Sequence, residues 1–383
     1  MNIIVLGAGL IGAPIAKDLA QDTNFNVSIA DKDPQALDNI TKQITIQSIQ
    51  KDLSDRDSLK KLLSPYDLAI NAVPGSIGYR TLKTIIESKK NVVDIAFSPE
   101  NTLELNSLAQ KQGVTAVVDC GMAPGMSNIL VAHAHSQLDT TKSVSIFVGG
   151  LPEVRIWPYE YKAGFSPSDV IEEYTRPAYI KINGKIVCVK ALSDCELIDF
   201  PEIGTLEAFN TDGLRSLLHT MDIPNMKEKT LRYPGHAEKM KILRDTGFFN
   251  QDTIDINGKK VRPMDVTSRL LLPKIRLEKK EKDITIMKVK VVGTKNGRSV
   301  EYIYDLFDRY DEQTETHSMA RTTGYTATSV VRLLSDNRIK EKGIIPPERI
   351  GIDQKCVKFI LSDLKKRGVL YKTESTLLDN EKL

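Results

Sequence analysis

The stretch that decides the fold is residues 3–12, which read IIVLGAGLIG: an apolar run followed directly by the pattern G-x-G-x-x-G. Residues 10–21 have a helical pattern, and a second apolar run, residues 27–30, ends at Asp31. A strand, a glycine-rich turn, a helix and an acidic residue about 20 positions later are typical of a dinucleotide-binding βαβ unit. The sequence therefore predicts an N-terminal Rossmann domain.

Each glycine of this turn has its own predicted role. Gly7 permits the tight turn, and Gly9 lets the backbone come close to a pyrophosphate. Gly12 lets the helix pack on the strand while the helix N-terminus faces the phosphates. Leu10 and Ile11, which lie between the last two glycines, complete this part of the predicted cofactor site.

Asp31 indicates which dinucleotide is bound. A carboxylate at this position accepts hydrogen bonds from the adenosine ribose, and its charge repels a 2′-phosphate. The sequence therefore predicts NAD rather than NADP, although the neighbouring Lys32 partly screens that repulsion.

Composition excludes several classes of protein. A chain of 383 residues is longer than a usual single core, so two domains are expected. A net charge of +3 without a basic block, and 6% aromatic residues, argue against nucleic acid as a partner. The four cysteines and five histidines lack metal-ligand spacing, so no metal is predicted. Without a leader or a long apolar stretch, the expected location is the cytoplasm and no membrane partner is predicted.

Hydrophobic patterning predicts an α/β fold with two different sheets. Six short apolar runs alternate with amphipathic helices and predict a doubly wound parallel sheet; they are residues 3–6, 27–30, 44–49, 68–72, 92–95 and 114–118. Later in the chain, Asn-Gly pairs at 183–184, 257–258 and 296–297 and an alternating run at 283–292 predict a mainly antiparallel α+β domain.

The predicted domain limits follow from these patterns. Residues 1–124 form the NAD-binding Rossmann domain, and residues 125–312 form the α+β domain for substrate binding and dimerisation. Residues 313–383 form a C-terminal helical segment, whose helices at 315–335 and 355–367 are expected to return to the Rossmann domain.

Ligands of an open parallel sheet lie beyond the carboxyl ends of its strands, so the residues that follow each strand are candidates for the site. The predicted cofactor contacts there are Asp52, Leu53, Asn71, Val73, Pro74 and Met122. Asp94 and Asp119 follow the fifth and sixth strands. Each fits a helix cap or loop hydrogen bond as well as it fits a catalytic group.

In the second domain, Arg232 and His236 are the residues whose chemistry suits a site. Arginine can hold a carboxylate through two parallel hydrogen bonds, and histidine can move protons near neutral pH. Spacing alone favours a surface ion pair for Arg232 and a packed, hydrogen-bonded histidine for His236.

Several segments together resemble the saccharopine dehydrogenase-like family. They are the glycine turn, DCGMAPGMSN (119–128), GGLP (149–152), EYK (160–162), FSP (165–167), EEY (172–174), TLEAFNTDGLR (205–215), KEKTLRYPGH (227–236) and MARTTGY (319–325). Within that family the motifs are most similar to those of the lysine 6-dehydrogenases. The resemblance extends over nearly the whole chain.

The resemblance implies NAD-dependent oxidative deamination of the ε-amine of L-lysine. The products are ammonia and 2-aminoadipate 6-semialdehyde, which closes to a cyclic imine. Arg232 matches the arginine that holds the substrate carboxylate in the family. Possible partners for the α-amine or the lysine stem are Glu153, Tyr174 and Thr211, and the candidate catalytic bases are Asp94, Asp119 and His236.

Two departures from the family pattern bear on the substrate. Saccharopine reductases have an acid in the sequence G-L-D-P-G, where this chain has Ala123, and Ser-Cys where it has Phe147-Val148. The loss of these polar groups favours a smaller amine than saccharopine.

Two other functions stay open. One is a dehydrogenase or reductase acting on a secondary amine such as saccharopine or carboxynorspermidine. The other, of a different class, is an NAD-binding regulatory protein that has lost catalysis. A homodimer or larger homo-oligomer is expected in either case.

Overall fold

The computed structural model describes residues 1–165 and 167–378, which fold into two compact units. The first unit comprises Met1–Ser136 and Ala320–Leu370, and the second comprises Gln137–Met319 and the strand Tyr371–Leu377. Ser166, part of one family motif, and residues 379–383 of the predicted helical segment lie outside the described residues.

The secondary structure alternates strands and helices in the first unit and is richer in strands in the second. The strands are β1 (Asn2–Leu6), β2 (Asn26–Asp31), β3 (Gln47–Gln50), β4 (Leu68–Asn71), β5 (Asn91–Asp94), β6 (Thr115–Val117), β7 (Thr140–Pro152), β8 (Ala178–Ile182), β9 (Lys185–Val189), β10 (Glu196–Phe200), β11 (Gly204–Asn210), β12 (Asn225–Arg232), β13 (Ile254–Ile256), β14 (Lys259–Val261), β15 (Asp283–Lys295), β16 (Arg298–Arg309), β17 (Gly343–Ile345) and β18 (Tyr371–Leu377). The helices are α1 (Gly12–Leu19), α2 (Pro34–Thr41), α3 (Arg56–Leu63), α4 (Gly75–Glu87), α5 (Asn106–Gln112), α6 (Met126–His135), α7 (Pro167–Thr175), α8 (Leu217–Thr220), α9 (His236–Thr246), α10 (Pro263–Ile275), α11 (Ser318–Ser335), α12 (Pro347–Gly351) and α13 (Gln354–Lys366).

The sheet of the first unit has the strand order β17-β6-β5-β4-β1-β2-β3, and all its strand pairs are parallel. Its central strand β1 is apolar because both faces of the sheet are covered, and Ile3–Leu6 are fully buried. This confirms the predicted doubly wound sheet. The sequence analysis missed β17, a three-residue strand supplied by the distant C-terminal part of the chain.

The C-terminal helices return to the first unit, as predicted, and ion pairs fix them there. The guanidinium of Arg332 in α11 donates to Asp18 Oδ2 of α1 at 2.9 Å and to Asp22 Oδ2 at 2.6 Å. Arg332 Nη1 also lies 3.4 Å from Asp363 Oδ2 of α13. Arg367 pairs with both Asp18 and Asp363, so the charged network joins α11 and α13 to the helix that follows the glycine turn.

The sheet of the second unit has the order β10-β11-β12-β7-β15-β16-β18, with β8 paired to β12 and β9. β12 and β7 are parallel and the other pairs are antiparallel, which confirms a mainly antiparallel sheet. Asn296 and Gly297 have φ values of 51° and 73° at the tip of the β15–β16 hairpin, as an Asn-Gly hairpin turn requires.

The compact units differ from the predicted limits at residues 124 and 312. Helix α6 belongs to the first unit because its residues Met126–Ala132 are buried there and pack against α12. Strand β18 belongs to the second unit because it pairs with β16 from Val300 to Leu306. The assignments of α6 and β18 both depend on packing partners far away in the chain, and hydrophobic periodicity does not identify such partners.

Among the described residues no helix has the length and apolarity needed to cross a membrane.

Candidate functional site

The glycine turn between β1 and α1 has the shape expected of a phosphate-binding loop. Gly7 has a φ of +107°, and a Cβ atom placed on it would lie 2.4 Å from the Ala72 carbonyl oxygen. A Cβ on Gly12 would lie 2.1 Å from the Gly7 carbonyl oxygen. A Cβ on Gly9 would meet no described atom within 4 Å. Packing within the protein therefore requires glycine at positions 7 and 12, whereas Gly9 faces open space.

Asp31, at the end of β2, is tied to this turn. Its Oδ2 accepts a hydrogen bond from the Ala8 N–H at 2.6 Å, and its Oδ1 accepts one from the Asp33 N–H at 2.9 Å. The carboxylate is half-buried and each oxygen keeps a further lone pair. Leu10 is exposed and Ile11 is half-buried, at the start of α1.

Two of the predicted residues, Asn71 and Asp94, are in direct contact at the carboxyl ends of β4 and β5. Asn71 Nδ2 donates to Asp94 Oδ1 at 2.8 Å and to the Gly78 carbonyl at 3.1 Å. Asp94 Oδ1 also accepts from the Ala96 N–H at 3.1 Å. This buried pair fixes the turn between β4 and α4, which contains Val73 and Pro74.

The other predicted residues of the first unit occupy turns around the same edge. Asp52 is exposed, and hydrogen bonds from the Ser54 backbone and hydroxyl lower its pKa. Leu53 is buried in the hydrophobic core. Asp119 is buried with a φ of 48° after β6, and Met122 is buried in the loop that follows.

A row of polar side chains lies on one face of β12, in the middle of the second sheet. Glu228, Thr230 and Arg232 alternate along the strand and therefore share a face. All three are buried. Since charged residues are almost never fully buried without partners, the segment KEKTLR signals a functional strand.

The guanidinium of Arg232 is surrounded by groups from three parts of the unit. Nη2 donates to Glu173 Oε2 at 2.6 Å and to the Tyr161 hydroxyl at 3.3 Å, and Nη1 donates to the Leu231 carbonyl at 2.9 Å. The guanidinium carbon lies 4.2 Å from the centre of the Tyr161 ring. Arg232 Nε is buried and has no hydrogen-bond partner among the described residues. Burial raises the pKa of Glu173, and Arg232 opposes that shift.

Tyr174 and His236, two further predicted residues, form a hydrogen-bonded pair beside this arginine. His236 Nδ1 lies 2.9 Å from the Tyr159 carbonyl, and Nε2 lies 2.9 Å from the Tyr174 hydroxyl. Because a carbonyl only accepts, Nδ1 carries the proton and Nε2 accepts from Tyr174. Burial, with the charge of Arg232, lowers the pKa of His236 to about 3, so the ring is neutral at physiological pH.

Thr211 lies in an adjoining polar cluster with Glu228. Its hydroxyl donates to Glu228 Oε2 at 2.7 Å and lies 2.7 Å from the Thr230 hydroxyl. A Cβ on Gly213 would lie 2.3 Å from Glu228 Cδ, so glycine is needed for this close approach. Burial raises the pKa of Glu228 to about 8, although the hydrogen bond from Thr211 opposes the shift.

Glu153 is placed apart from these groups. It is exposed, and its Oε1 accepts from Arg309 Nη1 at 2.6 Å.

The sequence analysis did not select Tyr161, Glu173 or Glu228, although all three lie within motifs that it quoted. The density of polar residues in a buried strand was the available signal for Glu228.

Comparison with known proteins identifies the family. Residues 3–117 match the saccharopine dehydrogenase NADP binding domain, and residues 121–369 match the saccharopine dehydrogenase C-terminal domain. The chain belongs to the saccharopine dehydrogenase family. The matched NADP binding domain lies within the first unit, and the matched C-terminal domain covers parts of both units.

Relatives within the saccharopine dehydrogenase family are distant. Mitochondrial alpha-aminoadipic semialdehyde synthase of Mus musculus is 21% identical over 98% of this chain and 48% of that protein. Saccharopine dehydrogenase [NADP(+), L-glutamate-forming] of Saccharomyces cerevisiae is 25% identical over 68% of this chain and 61% of that protein. The chain therefore spans about half the length of the first of these relatives.

A solved structure of the same family has the same fold. Apo histidine-tagged saccharopine dehydrogenase (L-Glu forming) from Saccharomyces cerevisiae superposes with a TM-score of 0.80 at 20% identity, covering 98% of this chain and 99% of that one.

The glycine turn yields a paired prediction. Gly12→Ala places a methyl group against the Gly7 backbone and should lower the melting temperature. Gly9→Ala meets no protein atom, so it should leave the melting temperature unchanged while weakening binding of the reduced dinucleotide at least tenfold. Thermal unfolding and a fluorescence titration measure the two effects. An unchanged affinity in Gly9→Ala would contradict a phosphate over Gly9.

Glu228 yields a prediction of pH-dependent stability. Its folded-state pKa of about 8 lies above the ordinary 4.5, so the folded protein retains a proton that the unfolded chain releases. Stability should therefore fall as pH rises from 6.5 to 8.5, by about 2 kcal/mol from this group. His236, with a lowered pKa, contributes only below pH 6.5, where stability is lost as the pH falls.

Urea unfolding of wild type and Glu228→Gln across that range measures the effect. Between pH 6.5 and 8.5, the free energy of unfolding of the variant should fall by about 2 kcal/mol less than that of the wild type. Equal losses in the two proteins would show that Glu228 is ionised in the folded state.

Proposed function

We propose that this chain is a nicotinamide-dependent dehydrogenase that deaminates the ε-carbon of L-lysine. The balanced reaction takes lysine with a protonated ε-amine, water and NAD⁺ to 2-aminoadipate 6-semialdehyde, NADH, ammonium and a proton. The semialdehyde then closes on its own α-amine. The observation that carries the proposal is the buried guanidinium of Arg232 with an unused N–H donor.

In this proposal Arg232 and Glu173 together hold the zwitterionic end of the amino acid. The substrate carboxylate accepts from Arg232 Nε, the donor that no described protein group uses. Glu173, 2.6 Å from Arg232 Nη2 and partly exposed, accepts from the substrate α-ammonium. An arginine–carboxylate pair is thus complementary to the two opposite charges of an amino acid. Glu173 suits this role better than the predicted Glu153, which pairs with Arg309.

Tyr174 and Thr211 contribute hydroxyl groups to the two buried clusters of this unit. We assign them to the α-amine or the stem of the substrate, the two roles that the sequence analysis gives them. The neighbouring Val148 is apolar and half-buried on the face of the sheet that carries Arg232, which suits a methylene chain.

The ε-ammonium must lose a proton before hydride can leave its carbon, since its ordinary pKa is about 10.4. The bound nicotinamide supplies the hydride acceptor. His236 is a weak base at its pKa of about 3, and both its ring nitrogens are already hydrogen-bonded. We therefore assign His236 to positioning Tyr174, and leave Asp94 and Asp119 as the candidate bases.

We propose NAD as the cofactor because of Asp31. Its carboxylate is fixed by the Ala8 N–H at the glycine turn and retains lone pairs for two ribose hydroxyls. The names of the fungal saccharopine dehydrogenases specify NADP(+), so the preference of this chain is a point to test. The expected cytoplasmic location and homo-oligomeric state also stay predictions.

Asp31→Asn tests the cofactor assignment. Wild type should show a kcat/KM for NAD⁺ at least tenfold above that for NADP⁺. The variant should narrow that ratio about tenfold, because it removes the charge that repels a 2′-phosphate. Asp33→Asn, a nearby exposed residue that caps α2, is the control and should leave the ratio unchanged. A wild type that favours NADP⁺ would overturn the assignment.

The second candidate is cleavage of saccharopine, which the names of the fungal saccharopine dehydrogenases favour. Ala123 and Val148 offer apolar groups at positions where the sequence analysis places polar ones in saccharopine reductases. Carboxynorspermidine is a further secondary amine to include. A regulatory protein without catalysis would bind NAD and turn over none of these compounds.

The reaction and the role of Arg232 are tested together by following reduced cofactor with L-lysine, L-ornithine, saccharopine and carboxynorspermidine. Lysine alone should suffice for turnover, and ornithine should react poorly because its chain is shorter. Arg232→Lys should raise KM for lysine about 10- to 100-fold, since a charge-assisted hydrogen bond is worth about 1.5–3 kcal/mol. Its KM for NAD⁺ should not change.

Arg309→Lys is the matched control, because Arg309 is exposed and pairs only with Glu153 among the described residues. It should leave KM for lysine unchanged. Turnover with saccharopine and none with lysine would replace the first candidate by the second. An unchanged KM in Arg232→Lys would remove Arg232 from the substrate site.

A further inference from the structure

Thr285 lies in the same row of the sheet as Arg232. Strand β7 runs between β12 and β15, and Val148 pairs with Thr230 on one side and Met287 on the other. Two residues further along β7, Gly150 pairs with Thr285 of β15. Extending the register between β12 and β7 by two residues, from Thr230 and Val148, places Arg232 beside Gly150. Residues paired across neighbouring strands point to the same face. Arg232, Gly150 and Thr285 therefore form one row, about 10 Å across from end to end.

Thr285 and Arg232, on either side of Gly150 in this row, each carry a buried polar atom that no described residue hydrogen-bonds. Thr285 is fully buried, and its hydroxyl makes no hydrogen bond with any described residue. Arg232 Nε is in the same condition. A buried polar group left unpaired destabilises the folded protein, so two of them in one row require an explanation.

The middle of the row carries no side chain of its own, because it is Gly150. A Cβ placed there would lie 2.3 Å from Met319 Cε, so the thioether of Met319 covers this glycine. The backbone of Met319 is held by Asp283, whose Oδ2 accepts from its N–H at 2.9 Å. The side chain itself is half-buried and unbranched, and can turn aside without moving the helix.

We propose that Thr285 is a second anchor for the substrate carboxylate, across Gly150 from Arg232. One carboxylate oxygen accepts from Arg232 Nε and the other from the Thr285 hydroxyl, in the space that Met319 vacates. The inference rests on the proposed function and extends it, because it specifies an amino-acid carboxylate lying over the Gly-Gly segment of β7. It also accounts for both unpaired atoms at once.

Thr285→Val tests the anchor, since valine keeps the shape and removes the hydroxyl. KM for L-lysine should rise about tenfold with KM for NAD⁺ unchanged. The melting temperature of the unliganded protein should rise by about 2–4 °C, because an unpaired buried hydroxyl is removed. Thr285→Ser should restore the KM.

Thr267→Val is the matched control. Thr267 is equally buried in the same unit, but its hydroxyl donates to the Phe248 carbonyl at 2.7 Å. Loss of this hydrogen bond should lower the melting temperature and leave KM for L-lysine unchanged. If Thr285→Val behaves like Thr267→Val, the hydroxyl has a structural partner and the proposal is overturned.

A binding measurement separates this proposal from the proposed function. The rise in melting temperature caused by saturating L-lysine, saccharopine or glutarate is recorded for wild type, Thr285→Val and Thr285→Ser, whether or not turnover occurs. Stabilisation that is lost in the valine variant and kept in the serine variant supports the anchor even if lysine is not oxidised. Equal stabilisation of wild type and Thr285→Val, or none in wild type, overturns it.

Discussion

The buried positive charge of Arg232 is the constraint around which the second unit is organised. A guanidinium away from water is tolerated only when other groups replace its hydration. Here a carboxylate from α7, a tyrosine hydroxyl and ring, and a backbone carbonyl do so. The helices that cover the sheet must therefore pack in one arrangement, since a shift of α7 would take Glu173 away from the arginine. Tyr174, the next residue of α7, reaches His236 in the same arrangement.

The parts of the fold that sequence predicts well are those that local chemistry determines. The glycine turn, the apolar strand β1 and the Asn-Gly hairpin at 296–297 each follow from the conformational needs of a few adjacent residues. Strands β17 and β18 do not, because short strands acquire their identity from partners far along the chain. For the same reason the parallel pairing of β12 with β7 cannot be inferred from the alternation of apolar and polar residues. That alternation shows which face of the sheet a side chain lies on, but it does not identify the neighbouring strand.

The residues of the candidate site also fall into two groups, those that local sequence predicts and those that it does not. Gly7, Gly12 and Asp31 could be selected from a motif whose spacing has a mechanical cause, and the structure gives each a matching geometry. The role of Arg232 could be assigned only by resemblance, because spacing alone favours a surface ion pair. Glu173 and Thr285 escaped selection because their importance depends on which polar atoms find partners after folding. That is a property of the packed unit and not of any segment.

Neither unit is continuous in sequence. Residues 137–319 interrupt the first unit, and the first unit's last segment in turn precedes the final strand of the second. On the ribosome, the parallel sheet stays without its edge strand β17 and its helices α11–α13 until residues 137–319 have been synthesised. The sheet of the second unit in turn gains β18 only after the last segment of the first unit has been synthesised. A single cut in the chain therefore cannot separate the two units as continuous segments.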